Sequence, residues 1–317
     1  MPRFDVTIAG ELNLDLILYG LPAELPRERE LLADGMMLTL GSSSAIVAHN
    51  LACLGSRVGF QSRIGKDELG DIALNRLSAS GVDTSLVRRT ATSNTGLTVI
   101  LQHRPWRNIL TYPGTITELS LNDLDLHYLG DSRHFHLSSF YLQSSLRPNV
   151  AELFRQVKTA GLTTSLDTND DPENRWAEDL RDVLRYVDVF LPNEREACKI
   201  ARTDDVERAV QRLSELVPVL VVKAGAKGAL ARRGKEKLEC PAVQVDMIDP
   251  VGAGDSFDAG FLHQYVRGAD LATCLAWGNL AGALSTTGSG GTEAFRDPTR
   301  RGTFFREHAA VLPKLSL

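Results

Sequence analysis

Cysteine is scarce in this chain. Its 317 residues hold four, Cys53, Cys198, Cys240 and Cys274, widely separated and with no C-x-x-C pair. That spacing speaks against a cysteine-based zinc centre and predicts buried free thiols in a reducing compartment, the cytoplasm. Long apolar runs are missing too. None reaches the roughly 20 residues that a bilayer-spanning helix needs, so no membrane association is expected. The N-terminal Met1-Pro2-Arg3-Phe4-Asp5 has no signal-peptide core. Nor is there an excess of basic charge: 35 Lys and Arg against 40 Asp and Glu give a net charge of −5, which argues against a nucleic-acid partner. There is no internal repeat and no low-complexity linker. The 43% hydrophobic and 24% charged content suits a globular chain long enough to bury a large core.

Against that plain background one stretch stands out, Asp249-Pro250-Val251-Gly252-Ala253-Gly254-Asp255-Ser256-Phe257-Asp258-Ala259-Gly260-Phe261. Its small residues allow a tight turn and close approach of backbone to a ligand. Phe257, Phe261 and Tyr265 then recur at helical spacing. A loop feeding a helix N-terminus offers unpaired N–H groups and a partial positive charge, which suit an anion such as phosphate. A carboxylate there repels phosphate unless it has a task, and accepting a proton from an attacking hydroxyl is such a task. The plainer alternative is that Asp255 and Ser256 only cap the helix.

The rest of the chain alternates strands with helices. Residues 4–9 read as a buried strand, with Val6 and Ile8 alternating with Thr7 and Ala9. In Gly10-Glu11-Leu12-Asn13-Leu14-Asp15 the same alternation predicts a strand with Asn13 and Asp15 on one face. That face is either solvated or aimed at a polyhydroxylated ligand. Gly41-Ser42-Ser43-Ser44-Ala45 leads into a helix ended by Gly55, 58–65 reads as a strand, and Asp67 to Ser80 as a helix. Residues 94–112 carry a hairpin signature with a turn at Arg104-Pro105-Trp106-Arg107. From 133 onward strands and helices alternate in right-handed βαβ fashion, which implies a parallel sheet covered on both faces. His134 and His136 read as strand residues with no third metal ligand nearby. Residues 254–267 and 270–286 read as two helices, the second rich in Ala and Gly, and 296–317 as a surface helix and coil.

These pieces together resemble the ribokinase-like, PfkB-type carbohydrate kinases over nearly the whole length. They are Gly10–Asp15, the glycine at 41, Ile64-Gly65-Lys66-Asp67-Glu68-Leu69-Gly70, Ser80-Gly81-Val82-Asp83, Pro192-Asn193-Glu194-Arg195-Glu196, Val222-Lys223-Ala224-Gly225 and the 249–261 string. The resemblance implies one three-layer α/β/α domain over 1–317, with a mostly parallel central sheet and a small β lid from about 12–40 and 94–111. It implies ATP-dependent phosphorylation of a sugar-like small molecule. In that reading Asp255 is the general base, and Gly252, Ala253 and Gly254 form an anion hole of backbone amides. No G-x-x-x-x-G-K-[ST] loop is present to hold phosphates another way.

Further roles follow from the same likeness. Asn193 and Glu196 match a motif that supports Mg²⁺ through water. Asn169 matches a phosphate contact, Lys223 and Gly225 the nucleotide side, and Asn279 a position near adenine. Asp249 and nearby carbonyls match a monovalent-cation site such as one for K⁺. Asn13, Asp15 and Gly41 match acceptor contacts. Ser42 stands where the family usually has a second glycine, and Ile46 where it often has asparagine, with Asn50 a turn further as the candidate substitute. Ribose is therefore not the default acceptor; a fructose-like sugar, a keto-deoxy sugar acid or a nucleoside fits as well. The alternatives are a nucleoside kinase of the same fold and a sugar- or nucleotide-binding protein without turnover. The exposed edges of lid strands could pair in a homodimer.

Overall fold

The computed structural model describes residues 2–103, 106–176 and 179–308. The chain opens with β1 (Phe4–Ala9), crosses to a second sheet through β2 (Leu14–Tyr19) and β3 (Gly35–Leu40), and returns through α1 (Ser43–Cys53), β4 (Val58–Gly65), α2 (Glu68–Ala79) and β5 (Asp83–Thr90). A second excursion makes the hairpin β6 (Leu97–His103) and β7 (Trp106–Tyr112). Then follow α3 (Leu126–Gly130), β8 (Ser132–Leu137), α4 (Val150–Thr159), β9 (Thr163–Leu166), α5 (Asp179–Leu184), β10 (Val189–Phe190), α6 (Glu194–Ile200), α7 (Val206–Ser214) and β11 (Val219–Lys223). The antiparallel pair β12 (Ala229–Arg233) and β13 (Glu236–Cys240) precedes α8 (Ala253–Tyr265), α9 (Leu271–Thr286), α10 (Glu293–Arg296) and α11 (Pro298–Glu307).

The nine-stranded sheet runs β13-β12-β11-β10-β9-β8-β1-β4-β5, parallel from β11 to β5. Strand period sends neighbouring residues to opposite faces. In β11, Val219 and Val221 join the core under α1, α8 and α9, while Leu220 and Val222 join the core under α4 and α7. Helices therefore cover both faces, as a parallel sheet requires. The four-stranded lid runs β3-β2-β6-β7. A small cluster of its own, Ile17 and Ile100 against Val251, lies on it, while Leu14 and Leu40 join it to the core of the large sheet.

Helices α8 and α9 meet along a seam of glycines. A Cβ on Gly260 would lie 2.3 Å from the Trp277 carbonyl, and one on Gly278 would lie 2.7 Å from the Phe257 ring. Phe257, Phe261 and Tyr265 stack along α8 at centroid spacings of 6.3 and 6.0 Å. Fully burying a residue such as Phe261 stabilises by about 1.5–3 kcal/mol.

Two expectations need correction. Residues 10–13 are not strand; the chain leaves the large sheet at Ala9 and enters the lid at Leu14, so alternation continues across a break. In the hairpin, Arg104 and Pro105 lie outside the described residues, whereas Trp106 and Arg107 belong to β7 rather than to the turn. β5 escaped the sequence reading. It is a sheet edge with polar, half-exposed residues, so it lacks an apolar alternation. His134 and His136 are buried, bonded to Thr163, Ser165 and Ser138, and no metal-ligand cluster exists among the described residues.

Candidate active site

Strand order reverses between β1 and β8: the chain adds β4 and β5 on one side and β8 to β13 on the other. Ligands in such sheets bind outside the carboxyl ends of the strands at the reversal. The sequence-predicted residues gather there. Gly10–Asn13 follow β1, Asn169 follows β9, Asn193 and Glu196 follow β10, and Lys223 ends β11. The N-terminus of α8 closes the group. Its turn depends on Gly252, which has φ 72° and no room for a side chain: a Cβ would lie 2.4 Å from the Gly291 Cα.

Asp255 is the third residue of α8 and is half-buried. The first amides of the helix have no intrahelical acceptor, so donors and a carboxylate share one helix end. Burial and the Asp167 charge push the Asp255 carboxyl up to about 6, against the pull of Lys223 and a Ser43 hydrogen bond. Beneath it lies a buried ion cluster. The Lys223 ammonium donates to Asp167 at 2.6 Å and to both oxygens of Asp258 at 3.1 Å. Asp258 is one helical turn beyond Asp255 and fully buried. Burial would lower the Lys223 pKa, but the Asp167 and Asp258 charges raise it, so it stays an ammonium. A Cβ added to Gly254 would lie 3.6 Å from Lys223 Nζ, which places that cation against the helix end.

On the lid side, Asn13 and Asp15 are buried at the junction of the two sheets. Burial, then the charges of Asp255 and Asp249, push Asp15 up to about 7. Gly41 packs against it; a Cβ there would meet Asp15 Oδ1 at 2.1 Å. Ser42 adopts φ 65°, a backbone that favours glycine. It keeps that place by working as a cap: its hydroxyl donates to the Glu11 carbonyl at 2.6 Å and accepts from the Ala45 amide at 3.0 Å.

Asn50 and Ile46 sit elsewhere than expected. Asn50 is fully buried; its amide donates to Ser256 Oγ at 2.9 Å and to the Gly291 carbonyl at 3.0 Å. Its amide oxygen lies 2.8 Å from His49 Nδ1. It ties α1 to α8 from behind. Ile46 is buried against Gly252 and Gly291, so it backs the turn.

On the other flank, Asn169 (φ 53°) lies between Asp167, Ser43 and Ser139. The amide orientation that satisfies all partners turns its nitrogen to Asp167 at 3.1 Å and its oxygen to Ser139 at 3.3 Å. Asn193 and Glu196 form a reciprocal cap on α6, with the Asn193 amide donating to Glu196 Oε2 at 2.9 Å. Burial and Asp167 push Glu196 up to about 7. Gly225 (φ 57°) is open. Asn279 donates to the carbonyls of Cys240 and Pro241 at 2.9 and 3.0 Å, fastening α9 to the end of β13. Asp249 is buried and bonded to Tyr19 and Gln102 of the lid.

ATP and Mg²⁺ suit these residues. Asp167, Glu196, Asp255 and Asp258 crowd around one lysine, a surplus of carboxylates that a dication would offset. No group of three or more His, Cys, Asp or Glu side chains placed to hold a metal occurs among the described residues. The sequence carries Asp167 and Asp258 in plain view without a role. The spacing of Asp258 three residues after Asp255 was the available signal; the pairing with Lys223 was not. A groove of about 510 Å³ between α5, α6 and α7, lined by Trp176, Leu184 and Arg212, holds none of these residues.

Residues 4–298 match the family model described as pfkB family carbohydrate kinase. A deoxyribokinase of Salmonella typhi is 28% identical over 297 residues, 90% of this chain and 94% of that protein. A cytidine kinase of Thermococcus kodakarensis is 27% identical over 280 residues, 86% of this chain and 93% of that one. A crystal structure described as a putative Ribokinase II in apo form from E. coli superposes with a TM-score of 0.86 at 26% identity, over 96% of this chain and 100% of that one. The same description recurs for a complex with ATP and Mg²⁺, at a TM-score of 0.82.

Proposed function

Because the chain belongs to the pfkB family of carbohydrate kinases, we propose that it transfers the γ-phosphoryl group of ATP to a hydroxyl of a sugar or sugar derivative. One observation carries the reading: Asp255 stands in the first turn of α8, where a helix presents amides with no acceptor inside it, that of Ala253 making only a long 3.3 Å bond to the Pro250 carbonyl. Asn13 and Asp15 hold the acceptor hydroxyl against it. The Asp255 carboxylate takes the hydroxyl proton, the freed oxygen bonds to the γ-phosphorus, and the bond to the β–γ bridging oxygen breaks to release ADP. The 252–255 amides and the helix dipole offset charge on the group in flight. Mg²⁺, when bound, neutralises phosphate charge, with Glu196 reaching it through water. Asn169, Lys223 and Gly225 face the phosphates, Asn193 orients Glu196, and Asn279 shapes the adenine side. The lid excludes water from the transfer.

ADP release with a panel of sugars, sugar acids and nucleosides tests this, deoxyribose and cytidine included because relatives are named for them. Turnover of one acceptor supports the kinase reading. ATP binding with no turnover of any acceptor favours a binding protein. The lid supports a second copy of this chain as partner: β7 is an edge strand exposed along its length, with Trp106 70% and Ile109 57% exposed. Sedimentation of the purified protein tests it, and a monomer at micromolar concentration excludes it. No helix among the described residues is long and apolar enough to cross a membrane, in keeping with a cytoplasmic site of action.

A further inference from the structure

Asp249 is fully buried on the segment that leads into the 252–255 turn. Its two oxygens accept four hydrogen bonds. Oδ1 accepts from the Gln102 side-chain amide at 2.9 Å and from the Val251 amide at 3.0 Å. Oδ2 accepts from the Tyr19 hydroxyl at 2.9 Å and from the Gly290 amide at 3.0 Å. A carboxylate offers about four lone-pair directions, and all are used. A monovalent cation at this carboxylate would have to displace one of the four donors and leave a buried polar group unpaired. The residues present do not fit that ion.

The four donors come from two bodies. Tyr19 ends β2 and Gln102 lies on β6, adjacent strands of the lid. Val251 and Gly290 belong to the loops around the anion hole, and Gly291 touches Gly252. Other contacts join the same two bodies. Ile17 and Ile100, on those two lid strands, pack against Val251. Thr39 of β3 reaches Thr292 Oγ1 at 3.3 Å and donates to Glu293 at 2.9 Å.

We infer that Asp249 is a positioning residue that latches lid strands β2 and β6 to the anion-hole turn, and that turnover needs no monovalent cation. Closing the lid completes the shell of the carboxylate, and the Val251 amide on Oδ1 fixes the turn in register with it. The inference rests on reading 252–255 as the anion hole, and its test separates the two. The first arm compares amide exchange in β2 and β6 of the unliganded wild type, Tyr19→Phe and Gln102→Leu. Exchange about tenfold faster or more is expected in both variants, since each loses a hydrogen bond to a charged group. Unchanged exchange in both overturns the latch. The second arm compares KCl, NaCl and tetramethylammonium chloride at equal ionic strength. Thermal midpoints should agree, and rates on any acceptor found should agree within about twofold, since screening is then matched. A thermal shift specific to K⁺, or activation by K⁺ of about tenfold (~1.4 kcal/mol), overturns the cation claim. Exchange and thermal shift need no turnover, so the latch is judged even if no acceptor is found. In the variants the KM for acceptor should rise more than the KM for ATP, a split that mere destabilisation would not give.

Discussion

The two sheets of this molecule are held to different standards. In the large sheet, β1, β8, β9, β10 and β11 are buried almost throughout, and the residues at their ends bond to several elements at once. In the lid, β7 is exposed at every position, and apolar burial is confined to a small cluster of Ile17 and Ile100 against Val251 and to Leu14 and Leu40 at the junction with the large sheet. The base, the ion cluster beneath it and the amide turn belong to the first region. On the proposed mechanism, the walls nearest the acceptor come from the second and from the junction at Asn13 and Asp15. On that mechanism phosphoryl transfer sits on the more buried frame, while acceptor choice sits on the more exposed sheet.

Substitutions can break or sharpen that contrast. Asp255→Asn should lower kcat by about 10²–10⁴-fold, the usual share of a general base, with both KM values nearly kept. Near-wild-type turnover would remove the base from the scheme. Lys223→Met should cost about 3–5 kcal/mol in urea unfolding, because it strands Asp167 and Asp258 in the interior without their cation. A loss below about 1 kcal/mol, the range of an exposed pair, would show that the cluster is not what stiffens this end of the sheet.

A pH titration should move activity and stability in opposite directions. Asp15 and Asp255 have folded pKa values raised to about 7 and about 6, from an ordinary 3.8. They bind protons more tightly folded than unfolded, so their stabilising contribution is complete below about pH 4 and is lost as pH rises through 6 to 7. With Asp255 as the proposed base, turnover should fall as pH drops below about 6. Thermal midpoints of the wild type and Asp15→Asn across that window check it; parallel curves would refute the Asp15 share. The smallest effect belongs to the lid edge. Ile109→Thr should shift stability by no more than about 0.5 kcal/mol, as for an ordinary surface position, and a larger loss that varies with protein concentration would mark a subunit contact.

What could be read from the sequence was local. The 252–255 turn was legible because small residues, a carboxylate and a helical apolar repeat must stand together within one short segment. The alternating strands and helices gave the layered sheet. Other features depend on distant partners. Period-2 alternation puts Asn13 and Asp15 on one strand because it carries no mark of a change of sheet. Asn50 was expected at the acceptor, but a position on α1 does not say which way the helix is rolled, and the bonds to Ser256 and Gly291 decide that. Lys223 finds Asp167 and Asp258 across 56 and 35 residues, and Asp249 finds Tyr19 across 230. No spacing in the sequence announces such pairs.

The glycine seam between α8 and α9 has a consequence for redesign. With the Trp277 carbonyl against Gly260 and the Phe257 ring against Gly278, α8 can neither roll nor slide without a backbone collision. The carboxylate at its head is a datum, like the fixed jaw of a vice. If Asp255 is the base, a new acceptor has to be brought to it by reshaping the facing jaw, so libraries aimed at substrate range belong in β2, β3 and β6, and the seam is best left untouched.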